Sequence, residues 1–319
     1  MSLGQENAWC IEVRGSDERW HDPCMPAKRR MIHGDDLLYR FLADLFADDT
    51  GAYGQVPELM LASMGVWLPL DVYRQLPVML PWVVRDPSCR PRNGSVDQWG
   101  SPNVLGYLRD DNSLIKSLPR SLSIRSPRQP HLNGARMATE FVAAHVWRTC
   151  TDGGDLASRR PSLNSFVPNL VWLPSQVAKL TDREGSTVQV TLQSLAWSLY
   201  RSAPVERRLD SVVEEAWSLL PKPAELSKGI DPRELNWFVS TDRFLATRIQ
   251  RLNSVIGALD KLANGQVIDT KVVTSRYTAG LPSVSPSVRA ALRDHLARFA
   301  VACQAPSGSA RGGRDNCPA

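Results

Sequence analysis

Residues 139–185 read TEFVAAHVWRTCTDGGDLASRRPSLNSFVPNLVWLPSQVAKLTDREG, and the order of patterns in this stretch decides the fold. Residues 140–149 form a β-like apolar run that contains a histidine, His145. A loop with Asp152, Gly153, Gly154 and Asp155 follows, and a second β-like run ends in Asn169-Leu170-Val171-Trp172-Leu173-Pro174. Pro174 and Ser175 suit the start of a helix, because the first turn leaves its backbone donors unsatisfied and loses nothing to a proline. The spacing predicts that helix through Asp182. The expected unit is strand, loop, strand, helix.

Taken singly, each polar residue here has an ordinary explanation. A histidine in an apolar strand is commonly a hydrogen-bonded core residue. Asn169 suits a turn, and Asp182 suits a helix end. Together they carry a second reading. Hydrolysis of a phosphodiester at neutral pH needs a base for water, and imidazole is the side chain whose ordinary pKa suits that task. It also needs positive charge against the phosphate. Arg148 follows the histidine and Arg159 and Arg160 lie in the connecting loop, so phosphate clamps are close in sequence.

On these residues the stretch resembles the HNH, or ββα-metal, nuclease superfamily. His145 in AAHVWR matches the family's general base on the first strand, and Asn169 in NLVWLP matches the asparagine that braces the ββ turn or touches the metal. The helix positions that commonly ligate the metal fall at Ala178 and Asp182, one helical turn apart. Two positions depart from the pattern: Ala144 stands where many members place Asp or His, and Ala178 where they place His or Asn. The resemblance implies a metal held by Asp182 and Asn169, completed by water, phosphate or one of the acids Glu140, Asp152, Asp155 and Glu184. So sparse a ligand set suits Mg2+ or Mn2+ better than zinc.

Composition bounds the rest. The chain has 319 residues, 43% apolar and 22% charged, which excludes a fibrous or largely disordered protein. The net charge of +5 permits a polyanionic partner without choosing one. No apolar run is long enough for a membrane span, the best candidate at 75–84 being broken by Pro77 and Pro81. The N-terminal residues lack the pattern of a secretory signal, so a cytoplasmic location and reduced cysteines are expected. Cys10, Cys24, Cys89, Cys150, Cys303 and Cys317 show no C-x-x-C pair or zinc-finger spacing.

Flanking regions supply the remaining expectations. Residues 35–48 carry an apolar stripe at helical spacing, whereas 66–102 is interrupted by prolines and predicts short elements with an irregular loop at 85–94. Helices are expected at 187–200, 205–220, 244–262 and 287–302, ahead of a disordered tail. Between 117 and 136, Arg120, Arg125, Arg128 and Arg136 occur without an acid, a pattern that suits either phosphate contact or a solvated loop. A cluster of Arg109, Asp110, Asp111, Asn112 and Lys116 fits a turn better than a PD-(D/E)xK nuclease site, whose closely spaced second acid and lysine are missing.

The expected fold class is α+β, a mainly helical chain around a central ββα-metal unit. Its regions are 1–104 (mixed or helical, DNA recognition), 105–202 (catalytic), 203–303 (helical) and 304–319 (tail). The expected activity is that of a metal-dependent DNA endonuclease of the restriction or phage-defence kind, acting on double-stranded DNA at a specific or modified site, as a possible homodimer. His145 and Asn169 would be catalytic, and Arg120, Arg125, Arg128, Arg148, Arg159 and Arg160 would contact DNA. The alternative is a catalytically degenerate HNH-fold module that binds DNA or assembles, which Ala144 and Ala178 favour.

Overall fold

A computed structural model of the chain describes residues 56–81, 113–151, 156–223, 231–268 and 281–303, all within one unit spanning residues 49–319. The helix expected at 35–48, the loop at 85–94, the Arg109–Asn112 cluster, Asp152 and Asp155, Cys10, Cys24, Cys89 and Cys317, and the tail at 304–319 lie outside the described residues.

In chain order the elements are α1 (Val56–Met64), β1 (Val66–Trp67), α2 (Leu70–Gln75), α3 (Ser113–Ser117), β2 (Ser123–Arg125), β3 (Phe141–His145), β4 (Leu170–Pro174), α4 (Ser175–Ala178), α5 (Thr187–Tyr200), α6 (Asp210–Ser218), β5 (Asn236–Val239), α7 (Asp242–Ala263) and α8 (Pro286–Cys303). The fold is mixed α+β. Its five strands form one mixed sheet in the order β2-β5-β1-β4-β3, antiparallel except for the β1–β5 pair. One sheet thus joins all three segments that the sequence pattern separates at 104/105 and 202/203. Short strands explain why the pattern conceals it: β1 and β2 are too brief to display a period of two.

The sheet centre is dry. Trp67, Trp172 and Phe238 are buried, and Trp172 meets Phe238 edge to face at 5.4 Å. A sharp turn from α1 into β1 is needed to bring Trp67 in. Gly65 makes it, donating its N–H to Leu61 O at 2.8 Å, and a Cβ at that position would stand 2.6 Å from the same oxygen. Asn236, at the start of β5, clamps the turn from the other side: its buried Nδ2 donates to Ser63 O at 2.9 Å and Gly65 O at 3.2 Å.

Helix α5 packs against α1 and buries Val188, Leu192, Leu195, Ala196 and Leu199, the stripe that its sequence displays, while Tyr200 meets Trp67 of β1. Ser186 caps it by accepting the Gln189 N–H, and the Tyr200 hydroxyl donates to Leu68 O at 2.6 Å. Burial pushes the Tyr200 phenol well above its ordinary pKa, with neighbouring Tyr73 adding to it. Helices α7 and α8 pack against each other through Leu252, Val255 and Leu259 on one and Leu292, Leu296 and Phe299 on the other. Each such side chain contributes on the order of 1.5–3 kcal/mol when fully buried. No helix among the described residues is long and apolar enough to cross a membrane. Cys150 and Cys303 are buried and free of disulfides.

Candidate functional site

Strands β3 and β4 form an antiparallel hairpin at one edge of the sheet, registered Phe141↔Pro174, Val142↔Leu173, Ala143↔Trp172, Ala144↔Val171 and His145↔Leu170. The helix expected after Pro174 is present but short. It runs as α4 for one turn, tightens to a 3-10 turn at Lys179–Thr181, and ends with Asp182 as the flanking cap. Because α4 packs back on β3, residues distant in sequence meet over the hairpin.

They enclose a cleft of about 360 Å³ lined by Ala144, His145, Arg148, Ala178, Lys179 and Asp182, with Ser158, Ser175 and Trp147 also in its walls. The cleft therefore gathers His145, Arg148 and Asp182 from the sequence reading, together with both alanines that depart from the family pattern. Lys179, Ser158 and Ser175 escaped that reading. The spacing of Ser175, Lys179 and the Ala178–Asp182 pair, each four apart in one short helix, was the available signal.

His145 is half-buried, and its Nε2 lies 2.9 Å from the backbone oxygen of Asn164. A carbonyl only accepts, so this nitrogen carries the hydrogen; whenever the ring is neutral, its lone pair is on Nδ1. The carbonyl is positioned by the inter-strand loop, where Asn164 donates its own N–H to Arg160 O at 2.9 Å. The Asn164 side chain is buried, and its amide has no hydrogen-bond partner among the described residues.

Asn169 braces the hairpin. It is fully buried; its Oδ1 accepts the Trp147 N–H at 2.7 Å, its Nδ2 donates to Leu163 O at 3.1 Å, and its backbone oxygen accepts the Val146 N–H at 3.0 Å. These bonds extend the β3–β4 pairing past His145. Asn169, also expected as a metal ligand, has its side-chain oxygen engaged by the Trp147 N–H and is not among the residues that line the cleft. The loop is further laced to the chain after α2, with Ser165 Oγ accepting the Leu80 N–H at 2.6 Å and donating to Leu80 O at 2.9 Å.

Beneath the loop lies an aromatic cluster. Trp217 touches Trp147 at 5.7 Å and Phe166 at 5.3 Å, both edge to face, and donates its indole N–H to the Tyr73 hydroxyl at 3.0 Å. Burial pushes the Tyr73 phenol up to about 12, partly offset by that hydrogen bond.

Other expected residues lie elsewhere. Glu140 is exposed at the far end of β3, about 16 Å along the strand from His145. Glu184 is exposed and accepts from Gln189 Nε2 at 3.2 Å, which serves the start of α5. Arg120, Arg125 and Arg128 flank or occupy β2, at the opposite edge of the sheet; four inter-strand steps separate β2 from β3, about 19 Å. Arg128 is also paired with Glu234, so the strip that contains no acid in sequence acquires one in the fold. Arg160 is half-buried in the loop, and the Arg159 side chain lies outside the described residues.

The described lining of the cleft does not by itself make a divalent-cation site. Its described lining offers the Asp182 carboxylate and the His145 imidazole, faced by the cations Arg148 and Lys179, with alanine at the two positions where ligands would add charge. Hard cations require several oxygen donors. Among the described residues no group of three or more His, Cys, Asp or Glu side chains could hold a metal ion. No family model, curated protein or solved structure matches the chain.

Proposed function

We propose that the chain is a DNA endonuclease of the HNH kind, hydrolysing phosphodiester bonds in the cleft between the β3–β4 hairpin and α4. One observation carries this reading: positions 144, 145, 178 and 182, to which the family's motif assigns base and ligands, converge on a single cleft, with Asn169 bracing the hairpin beside them. His145 takes the proton of a water through Nδ1 as the water oxygen attacks phosphorus. The bond to the leaving oxygen breaks, and that oxygen takes a proton from solvent. Arg148 and Lys179 hold the phosphate oxygens. The net charge of +5 is compatible with a polyanionic substrate, and the long segments on either side of the hairpin leave room for recognition of a specific or modified site in double-stranded DNA, as a restriction or phage-defence enzyme working as a dimer. Dependence on Mg2+ or Mn2+ at Asp182 would need acids beyond the described lining.

A second reading is favoured by Ala144 and Ala178: a module that keeps the scaffold and binds DNA without cutting it. Supercoiled plasmid, unmodified and base-modified, incubated with the protein in Mg2+, Mn2+ or EDTA decides between them. Nicking is expected, with His145→Ala slower by about 10²–10⁴-fold and DNA binding retained. Absence of nicking on every substrate would leave the binding module standing, and full activity of His145→Ala would remove His145 from the chemistry.

A further inference from the structure

We infer that the cleft grips its phosphate with Lys179 and Arg148 in place of a divalent cation. The inference rests on the reading of the cleft as a phosphodiester site, and it turns on a charge inventory. At the positions where the HNH pattern supplies metal ligands, this chain presents two methyl groups, Ala144 and Ala178, and both line the cleft. Asn169, the remaining candidate ligand beside Asp182, has its oxygen committed to the Trp147 N–H. What the lining has gained is positive charge. Lys179 follows Ala178 directly, and Arg148 enters from the start of the inter-strand loop.

Arg128, Arg201, Arg208 and Arg293 pair with Glu234, Glu214, Glu206 and Asp260, whereas among the described residues neither Arg148 nor Lys179 forms an ion pair. A guanidinium can hold two phosphate oxygens at once and an ammonium can hold another as a point charge. Within the described lining a dication would meet two like charges against one carboxylate. Asp182, the one carboxylate of the described lining, is ion-paired with neither cation.

The test uses the full chain and a dithymidine phosphodiester as probe, followed by tryptophan fluorescence, since Trp147 lines the cleft, and by phosphorus NMR linewidth. Binding is expected to be equally tight in EDTA and in Mg2+ or Mn2+. The Arg148→Gln/Lys179→Gln double variant should weaken it by about tenfold or more, with far-ultraviolet circular dichroism unchanged, and Lys179→Arg should retain it. Binding that appears only with a divalent cation, or a double variant that binds as tightly as the parent, overturns the inference. The two readings fail separately. Probe binding in EDTA without plasmid nicking under any condition removes the nuclease and keeps the clamp; nicking that requires Mg2+, with no probe binding in EDTA, keeps the nuclease and removes the clamp.

Discussion

The two edges of the sheet carry the same residue type under opposite physical conditions. At the β3 edge, Arg148 lies half-buried in a cleft whose hairpin is held by buried polar bonds from Asn169 and Ser165. At the β2 edge, Arg120, Arg125 and Arg128 are solvent-exposed, and Arg128 is neutralised by Glu234. Along the chain the two groups are close, and a reading by sequence distance merges them into one basic surface. In the sheet they are about 19 Å apart because β5, β1 and β4 intervene. An arginine's function thus depends on which strands the chain inserts between it and the next one.

The comparison can be broken most sharply at Asn169. Asn169→Ala strands the buried Trp147 N–H and the Leu163 oxygen and leaves a small void, so a loss of about 2–4 kcal/mol is expected in denaturant unfolding. A loss under about 1 kcal/mol would show that the hairpin edge is not held from within.

Alkaline titration probes the aromatic support of the same edge. Tyr73 ionises at 10.0 when unperturbed and at about 12 when folded. The unfolded chain therefore loses this proton first. The contribution is complete below about pH 10 and is lost as pH rises through about 12, at most about 2–3 kcal/mol. Unfolding free energy measured across this range should fall, and Tyr73→Phe should flatten the fall attributable to this group. An unchanged slope in Tyr73→Phe would assign the loss to Tyr200 or Cys303, whose protons burial also holds.

Asn164 sharpens the contrast within the loop. It is as buried as Asn169, but its amide has no partner among the described residues. Asn164→Leu removes a desolvated amide at similar volume and is expected to be neutral or stabilising by about 1–2 kcal/mol. A large loss of stability would reveal a partner or a bound water.

The smallest effect belongs to the far edge. Arg128→Ala breaks an ion pair whose side chains are 33% and 49% exposed, so it should cost under about 1 kcal/mol by thermal denaturation. Replacing Arg120, Arg125 and Arg128 together should lower the salt slope of duplex binding by about 0.9 for each phosphate that the strip neutralises. A slope that does not move returns the strip to a solvated surface.

What the sequence made legible is what short-range physics controls. The stripe of α5 is visible in the chain and appears at 187–200 as expected, and α7 and α8 extend the expected helices by a residue or two at each end. The strand–loop–strand–helix order of the hairpin is likewise present. The expected helix at 205–220 contracts to α6 with a 3-10 turn at Arg207–Leu209 ahead of it. Strands β1, β2 and β5 were not legible, because two to four residues carry too little periodicity and gain their stability from partners far along the chain.

The site divides along the same line. Sequence alone determined the residue types proposed to bear chemistry, His145, Arg148 and Asp182, and the two alanines that break the ligand pattern. Tertiary structure decided that Asn169 braces the hairpin, that Lys179 joins Arg148, and that the arginine strip departs to the other edge. The physical reason is that side-chain identity is local, whereas charge balance depends on distance through space. Distance is set by hydrogen-bonded strand order, which the linear chain does not display.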